Sequence, residues 1–240
     1  MTASRDQRTD VIWMRQERTR RAPQTPVTRE RICTTAITIA DSDGVKAVTM
    51  RSIAEELGCG TMSLYRYVQN KEEVLDLIVD AVLGEEGLPP KPSGDFRADL
   101  RRLARARRAV MLLHPWMAQL AAGRPALGPN AIASTEFAMG ALDGLDLSME
   151  KRVRLVNTLH AFVIGFVQTE AEEAAWRRPD GGDDNWQERA LPYLTHLMES
   201  GKYPHFTRMV HEADQYPDRD EAFDWQLERV LDGLSTAVRS

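Results

Sequence analysis

The sequence predicts an all-α protein with an N-terminal helix-turn-helix three-helix domain and a larger C-terminal helical domain. Three observations carry this prediction. Apolar residues recur at helical spacing in almost every segment, no segment forms a convincing strand, and Gly-, Pro- and Asp-containing stretches separate the segments. With 240 residues, of which 42% are hydrophobic and 28% charged, the chain is long enough to bury a core.

Residues 1–27 show no steady periodicity and are predicted to form a flexible basic arm. The run "RQERTRR" in this arm suits either a nucleic-acid contact or a solvated tail. Residues 1–71 carry 12 Lys and Arg against 8 Asp and Glu, whereas the rest of the chain carries 19 against 28. Although the formal net charge is −5, this asymmetry indicates that the first quarter meets a polyanion.

The first helix is predicted to start after Thr28, a plausible N-cap, and to end at "DSDG", where Gly44 suits the closing position. A second, short helix starts at Thr49 and is closed by Gly58. A third follows at about Thr61, with its apolar residues turned inward.

The fourth helix is predicted to begin after Asn70, which can cap it together with Glu73 three residues later. Residues 28–73 are therefore assigned to the helix-turn-helix domain and residues 74–240 to the C-terminal domain. Beyond the loop "GLPPKPSG", further helices are predicted over 95–113, after "HPW", and over 129–143, 148–175, 187–199 and 220–238. The stretch "GKYPHFTRMVHEADQYPDRD" is predicted to be irregular, with at most one short helical turn.

Several function classes are not supported by the sequence. No apolar run approaches the ~20 residues that span a bilayer, and the N-terminus has no apolar signal segment, so cytoplasmic residence without a membrane partner is expected. Cys33 and Cys59 form no CxxC or zinc spacing and are expected to be packing residues. No P-loop, GxSxG or HExxH motif is present, so neither enzymatic activity nor a cofactor or metal is expected.

The segment "AEELGCGTMSLYRYVQNK" carries the functional prediction. In a helix-turn-helix the second helix lies in the DNA major groove while the first braces it. The second predicted helix gathers hydroxyls, rings and positive charge, and these groups can donate to phosphate oxygens and base edges. The residues concerned are Thr61, Ser63, Tyr65, Arg66 and Tyr67. A bland alternative is that two short amphipathic helices simply pack together.

Residues 28–83 resemble the DNA-binding domain of the tetracycline-repressor (TetR) family of transcriptional regulators. The most specific pieces are "TMRSIAEELG" and "SLYRYVQNKEEVL". The remainder fits that family through its length and helix count, and "HAFVIGFVQTEAEE" resembles the long helix that forms the family's dimer.

The resemblance implies roles for individual residues. It implies phosphate or base contacts for Thr49 and Arg51, and phosphate contacts for Tyr65 and Lys71. Groove-facing positions are implied for Thr61, Met62, Ser63, Arg66 and Tyr67. Gly60 stands where the family often has a Ser or Thr that caps the second helix of the motif, and Met62 forms hydrogen bonds poorly. These two positions therefore depart from the common pattern of the family.

A homodimer is expected, because two half-sites about one helical turn apart need two copies of the motif. The long helix of 148–173 is apolar on more than one face, and 220–238 carries a clean apolar stripe. The resemblance implies a four-helix dimer bundle from these helices; a purely internal core is the alternative. The predicted interface residues are Leu159, Phe162, Val163, Phe166, Leu227, Leu231 and Leu234.

The C-terminal domain is predicted to hold a small-molecule inducer, because apolar walls with a few polar groups are typical of such sites. The candidates are Leu103, Arg107, Met111, His114, Trp116, Met117, Phe137, His160 and Ile164. Each of them also suits ordinary core packing. The metal-binding histidine of the tetracycline-binding repressor aligns with Ala121, so a different ligand is expected, uncharged or anionic and partly aromatic.

The sequence thus predicts a ligand-responsive dimeric repressor that a small molecule releases from double-stranded operator DNA. Two alternatives remain at this point. One is a DNA-binding activator, and the other is a dimeric DNA-binding protein that responds to no ligand.

Overall fold

The computed structural model describes residues 11–15, 27–121, 126–176, 186–213 and 218–239. This part of the chain contains eleven α-helices and no strand, which confirms the all-α prediction. The helices are α1 Arg29–Asp43, α2 Met50–Glu56, α3 Thr61–Leu64, α4 Lys71–Leu83, α5 Phe96–Leu113, α6 Met117–Ala121, α7 Pro129–Gly140, α8 Met149–Trp176, α9 Trp186–Glu199, α10 Pro204–Glu212 and α11 Arg219–Arg239.

Three of the first four helices, α1, α2 and α4, begin directly after a residue whose side chain caps them. Thr28 accepts a hydrogen bond from the Arg31 amide, Thr49 from the Ser52 amide, and Asn70 from the Glu73 amide. One detail differs from the sequence prediction. The Glu73 carboxylate does not close a capping box with Asn70 but accepts from the backbone amide of Gln69, at 2.7 Å.

Residues 11–15 of the predicted arm lie against the helix-turn-helix. Ile12, within a short 3-10 turn, is buried in the core. The Arg15 guanidinium pairs with Glu73, and the Arg15 carbonyl accepts from Arg29 at 2.7 Å. This short segment is therefore packed rather than loose, while 1–10 and 16–26 lie outside the described residues.

Helix α4 belongs to both halves of the molecule and crosses the predicted domain boundary at 73/74. Val74 and Ile78 are fully buried in the core that α4 shares with α1. Near its other end, the buried Asp80 carboxylate accepts from the Ala131 amide at 2.9 Å and from the Asn130 side chain at 3.1 Å. Asp80 thus supplies the first turn of α7 with the acceptor that a helix N-terminus needs.

Gly128 precedes α7 and packs directly against Asp80. A Cβ at position 128 would overlap the Asp80 carboxyl group. Glycine is required here because of this close approach, since its φ of −73° suits any residue.

An ionic ladder joins α5 to the antiparallel α11. Arginines on one face of α5 recur about every helical turn, and carboxylates on α11 recur at the same interval in the opposite direction. The pairs are Arg97 with Glu228 and Asp232, Arg101 with Glu228, Arg105 with Asp224, and Arg108 with Asp220. Arg108 also forms two hydrogen bonds with Glu170 of α8. The ladder therefore fixes the register of α5 against α11.

The prediction of irregular structure between α9 and α11 is wrong, because residues 204–212 form the helix α10. Pro204 occupies its first turn, where a missing amide hydrogen costs nothing and the fixed φ favours a helix. Helix α10 packs on α9, and none of its residues is buried within this chain.

Within the residues that the structure describes, no helix is both long and apolar enough to cross a membrane.

Candidate DNA interface and ligand site

The turn between α2 and α3 is shaped by one glycine. Gly58 has φ of 64°, a left-handed conformation that other residues rarely adopt, and a Cβ there would meet open space. The Cys59 amide then donates to the Ala54 carbonyl at 2.9 Å, which closes the end of α2. Gly60 caps α3 in an extended conformation without a side-chain hydrogen bond.

Helix α3 has one buried and one exposed side. Leu64 and Val68 are fully buried, so they fasten the segment to the domain core. On the other side, 75% of Met62 and 47% of Tyr65 are exposed, and Arg66 is exposed as well. Large apolar and aromatic side chains that are exposed close together are typical of a surface that binds a partner.

The structure corrects the extent of the reading helix. Regular α-helix ends at Leu64, and Tyr65, Arg66 and Tyr67 form the turn that follows. The amides of Arg66 and Tyr67 donate to carbonyls three residues earlier, at 3.4 and 2.8 Å, so the chain tightens rather than continuing as α-helix. The whole of 61–67 is called the reading segment below.

Neighbouring groups hold the reading segment in place. The Tyr67 carbonyl accepts from the Arg29 side chain of α1 at 3.3 Å. Lys71 is half-buried at the start of α4. Thr49 and Ser52 cap α2 reciprocally, and Arg51 lies 84% exposed, with Nε donating to Glu55 at 2.8 Å. Among the predicted DNA-binding residues, Arg51, Met62, Tyr65 and Arg66 are exposed, whereas Thr61, Ser63, Tyr67 and Lys71 are half-buried.

Many of the predicted ligand residues meet in the core of the C-terminal domain. Leu103 and Met111 of α5, Met117 of α6 and Phe137 of α7 are buried, and Ile164 of α8 packs half-buried against the same core. A surface groove on α10 is lined by His205, Arg208, Met209, Glu212 and Ala213, and none of the predicted ligand residues is among them.

His114 and Trp116 form hydrogen bonds with carboxylates near the ends of α1 and α4. The two nitrogens of the His114 ring contact Asp41 at 2.8 Å and Glu85 at 3.2 Å, and Trp116 Nε1 donates to Asp41 at 2.7 Å. Burial alone would lower the pKa of His114, but its hydrogen bonds with the two carboxylates outweigh burial and raise that pKa. These side chains connect the end of α1 to the end of α5.

Arg107 and His160 lie in a buried polar cluster that the sequence interpretation missed in part. Arg107 pairs with Glu86 and donates to Ser134 at 3.1 Å, and Ser134 donates to Glu86 at 2.8 Å. His160 Nε2 is buried and has no hydrogen-bond partner among the described residues. Burial, followed by the nearby Arg107 charge, lowers the pKa of His160 to about 4. The signal for Glu86 was weak, because "GEE" after a helix resembles an ordinary solvated end.

The predicted dimer residues are largely covered within the single chain. Leu159, Val163, Leu227, Leu231 and Leu234 are already buried within the single chain, so they have almost no surface left to offer a partner. The half-buried Phe162 and Phe166 stack on Phe223 of the same chain, with ring centroids 5.5 and 5.1 Å apart. Phe162 and Phe166 thus contribute to the packing between α8 and α11, and the other five residues belong to the core of the chain.

The described residues contain no group of three His, Cys, Asp or Glu placed to hold a metal ion.

The Cys33 thiol is partly buried. Cys33 donates to the Leu77 carbonyl at 3.5 Å, and burial, followed by the Asp80 charge, raises the pKa of its thiol to about 11. Cys33 is therefore a packing residue in its protonated form.

Two family models match this chain. The model described as bacterial regulatory proteins, tetR family, matches residues 32–78. The model described as tetracyclin repressor-like, C-terminal domain, matches residues 88–238. The first covers α2, α3 and the turn between them, and the second covers most of the C-terminal domain.

Individual relatives agree with these matches. The chain is 33% identical over 231 residues to the transcriptional repressor DrrR1 of Streptomyces coeruleorubidus, covering 95% of this chain and 85% of DrrR1. Apo ActR from Streptomyces coelicolor has a similar crystal structure, with a TM-score of 0.75 at 29% identity over 90% of this chain and 98% of ActR. ActR in complex with actinorhodin gives 0.72 at 30%, over 89% and 98%. The chain therefore belongs to the tetR family of bacterial regulatory proteins and is a DNA-binding transcriptional repressor.

Proposed function

We propose that this protein represses transcription as a homodimer whose two reading segments occupy successive major grooves of an operator. The observation that supports this most strongly is the exposed cluster of Met62, Tyr65 and Arg66 opposite the fully buried Leu64 and Val68. The buried pair fixes the segment, and the exposed cluster is free to meet DNA. A small molecule bound in the C-terminal domain then favours a conformation in which the two segments no longer fit the operator.

Each side chain of the interface has a role that its chemistry suits. Arg66 reads a guanine through two hydrogen bonds, which is worth about 1–3 kcal/mol of discrimination. Met62 contacts a thymine methyl group. Thr61, Ser63 and Tyr67 flank the groove.

The remaining candidates face the phosphates. Tyr65 and Lys71 donate to phosphate oxygens, and Lys71 does so at the N-terminus of α4, where the helix dipole favours an anion. Thr49 and Arg51 contact the backbone from the start of α2. Gly60 lets the chain approach the DNA closely, because a Cβ there would point into open space.

The dimer is proposed to form through the outer face of α8. Asn157, Ala161, Gly165 and Gln168 recur at helical spacing and are exposed, opposite the buried face of Val156, Leu159, Val163 and Val167. Small residues allow two helices to approach closely. The hairpin of α9 and α10 adds apolar surface, because Leu191, Tyr193, Tyr203 and Met209 are all at least half exposed.

The dimer proposal is tested by charge insertion on α8. Ala161→Glu should convert the dimer to a monomer in sedimentation velocity at micromolar concentration. Ala133→Glu on the exposed side of α7 is the matched control and should leave the dimer intact. A monomeric wild-type protein at these concentrations, or an Ala161→Glu variant that stays dimeric, would count against this interface.

The ligand site is proposed to lie between α5, α7 and α8, with Leu103, Met111, Met117, Phe137 and Ile164 as its apolar walls. Arg107 and His160 supply its polar groups. ActR, which is similar to this chain, has been crystallised with actinorhodin and with (S)-DNPA. By analogy, the ligand of this protein is proposed to be a partly aromatic small molecule.

The operator is tested by footprinting on DNA upstream of the gene. The proposal predicts two protected half-sites whose centres lie about 34–36 Å apart, or a multiple of this spacing. Protection of one isolated half-site, or uniform protection without boundaries, would contradict the paired arrangement.

A further inference from the structure

Glu86 places a negative charge inside the C-terminal domain at the end of α4. It closes the 3-10 turn Gly84–Glu86 that directly continues this helix, and only 2% of its side chain is exposed. Its carboxylate is held by Arg107 of α5 and by the Ser134 hydroxyl of α7. A buried carboxylate needs such partners, because an unpaired charge in the interior is strongly unfavourable.

One buried nitrogen near Arg107 makes no hydrogen bond with the described residues. His160 lies within electrostatic reach of Arg107, and its Nε2 is buried with no partner in the described part of the chain. Its lowered pKa keeps the ring neutral at pH 7, so Nε2 can either donate or accept a hydrogen bond. Within the described residues, the Glu86 carboxylate therefore has hydrogen-bond partners and His160 Nε2 has none.

We infer that Glu86 occupies the position of a ligand anion, and that the inducer is a small molecule whose carboxylate or comparable anionic group displaces Glu86 from Arg107 and hydrogen-bonds His160. This inference rests on the proposed ligand site. The charge of the ligand follows from electrostatics: a neutral molecule that displaced Glu86 would leave Arg107 buried without a counter-ion. An anion restores the pair, and Glu86 moves out to water.

Helix α4 can transmit the displacement of Glu86 to the DNA interface as a movement of the helix. The first half of α4 is buried against α1 in the helix-turn-helix core, while Asp80 ties the second half to α7. Glu86 is the attachment beyond Asp80. When it is released, α4 keeps its tie to α7 at Asp80 and loses the one beyond it, so the helix can pivot about Asp80 and carry the helix-turn-helix with it. The ligand therefore acts by exchanging one anion for another at Arg107.

The test uses direct ligand binding to the full chain. Anthraquinone-2-carboxylate is the anionic probe and anthraquinone-2-carboxamide its neutral match, with binding followed by calorimetry. Wild type should bind the carboxylate at least 10-fold more tightly than the carboxamide. Glu86→Gln removes the internal competitor and should bind the carboxylate about 10-fold more tightly than wild type does. Glu136→Gln, on the exposed side of α7, should bind it as wild type does.

Two outcomes would overturn the inference. One is equal affinity of wild type and Glu86→Gln for the carboxylate, and the other is no binding of the carboxylate to Glu86→Gln at millimolar concentration. Glu86→Asp, which keeps the charge but shortens the reach to Arg107, should shift affinity in the same direction and serves if Glu86→Gln does not fold. Circular dichroism establishes folding for each variant.

An operator-binding assay separates this inference from the proposed function. Glu86→Gln should bind operator about 10-fold more weakly than wild type in the absence of ligand. If wild type binds its operator and Glu86→Gln binds it equally, the exchange mechanism fails while the repressor function stands. If wild type itself shows no specific DNA binding, the proposed function fails whatever the ligand result.

Discussion

His114 and Asp41 lie 73 positions apart in the sequence, yet their side chains share a hydrogen bond of 2.8 Å. Asp41 stands near the end of α1, and His114 caps the end of α5. Glu85, which follows α4, contacts the other nitrogen of the same ring, so one imidazole ties the end of α5 both to α1 of the DNA-binding half and to the turn after α4.

The first prediction concerns the pH dependence of this connection. The pKa of His114 is raised above 6.5 in the folded protein, so its stabilising effect is fully present below pH 6.5 and is lost as pH rises through the folded value. His114→Gln should lower the free energy of unfolding by about 1–3 kcal/mol at pH 6 and by less at pH 8.5. Urea denaturation at each pH measures the difference. His211→Gln, on the exposed α10, is the control, and a difference that stays constant with pH would contradict the assignment.

The second prediction concerns the contact between Gly128 and Asp80. Gly128→Ala forces the Asp80 carboxyl group away from the Ala131 and Asn130 donors. The free energy of unfolding should fall by about 1–3 kcal/mol, measured by urea denaturation. Gly233→Ala, at an exposed glycine inside α11 with open space for a Cβ, should not lower stability, because alanine favours a helix interior over glycine. Equal effects of the two substitutions would show that the close approach is unimportant.

The third prediction concerns the ionic ladder. The hydrogen bond from Arg101, assisted by Arg97, holds the pKa of Glu228 below its ordinary value of 4.5. Its stabilising effect is therefore present above pH 4.5 and is lost as pH falls through the lower folded value. Glu228→Gln should cost up to about 1 kcal/mol at pH 7, since the pair is partly exposed, and almost nothing at pH 3. Glu150→Gln, in an exposed pair on α8, should show no comparable loss.

The fourth prediction concerns base reading. Arg66→Ala should weaken binding to the operator by about 1–3 kcal/mol and binding to unrelated DNA much less, because only the operator offers the matching base. Fluorescence anisotropy with both DNA fragments gives the two changes. Arg102→Ala, an exposed arginine on α5, should alter neither by a comparable amount. Equal losses on both fragments would assign Arg66 to phosphate contact instead.

The sequence was sufficient wherever structure depends on neighbouring residues. Thr28 and Asn70 cap α1 and α4 as predicted, and α2 begins directly after Thr49, because a cap involves only the next three residues. Gly58 likewise closes the turn before the reading segment.

The sequence was insufficient where function depends on distant partners. Glu86 was not singled out from the sequence, since nothing local shows that Arg107 and Ser134 will surround it. Leu227 and Leu231 formed a stripe that fits an internal core and a dimer equally well, and periodicity alone does not separate the two. The assignments of individual DNA, ligand and dimer residues remain predictions for the experiments above.

The most direct test of the central claim is the affinity of the wild-type protein for its own upstream DNA against a scrambled fragment of the same length, measured by anisotropy at about 150 mM salt. The exposed reading segment predicts binding to the upstream fragment at least about 10³-fold tighter than to the scrambled one. Both affinities should fall as salt rises, because phosphate contacts release counter-ions. Equal affinity for the two fragments at every salt concentration would contradict sequence-specific recognition.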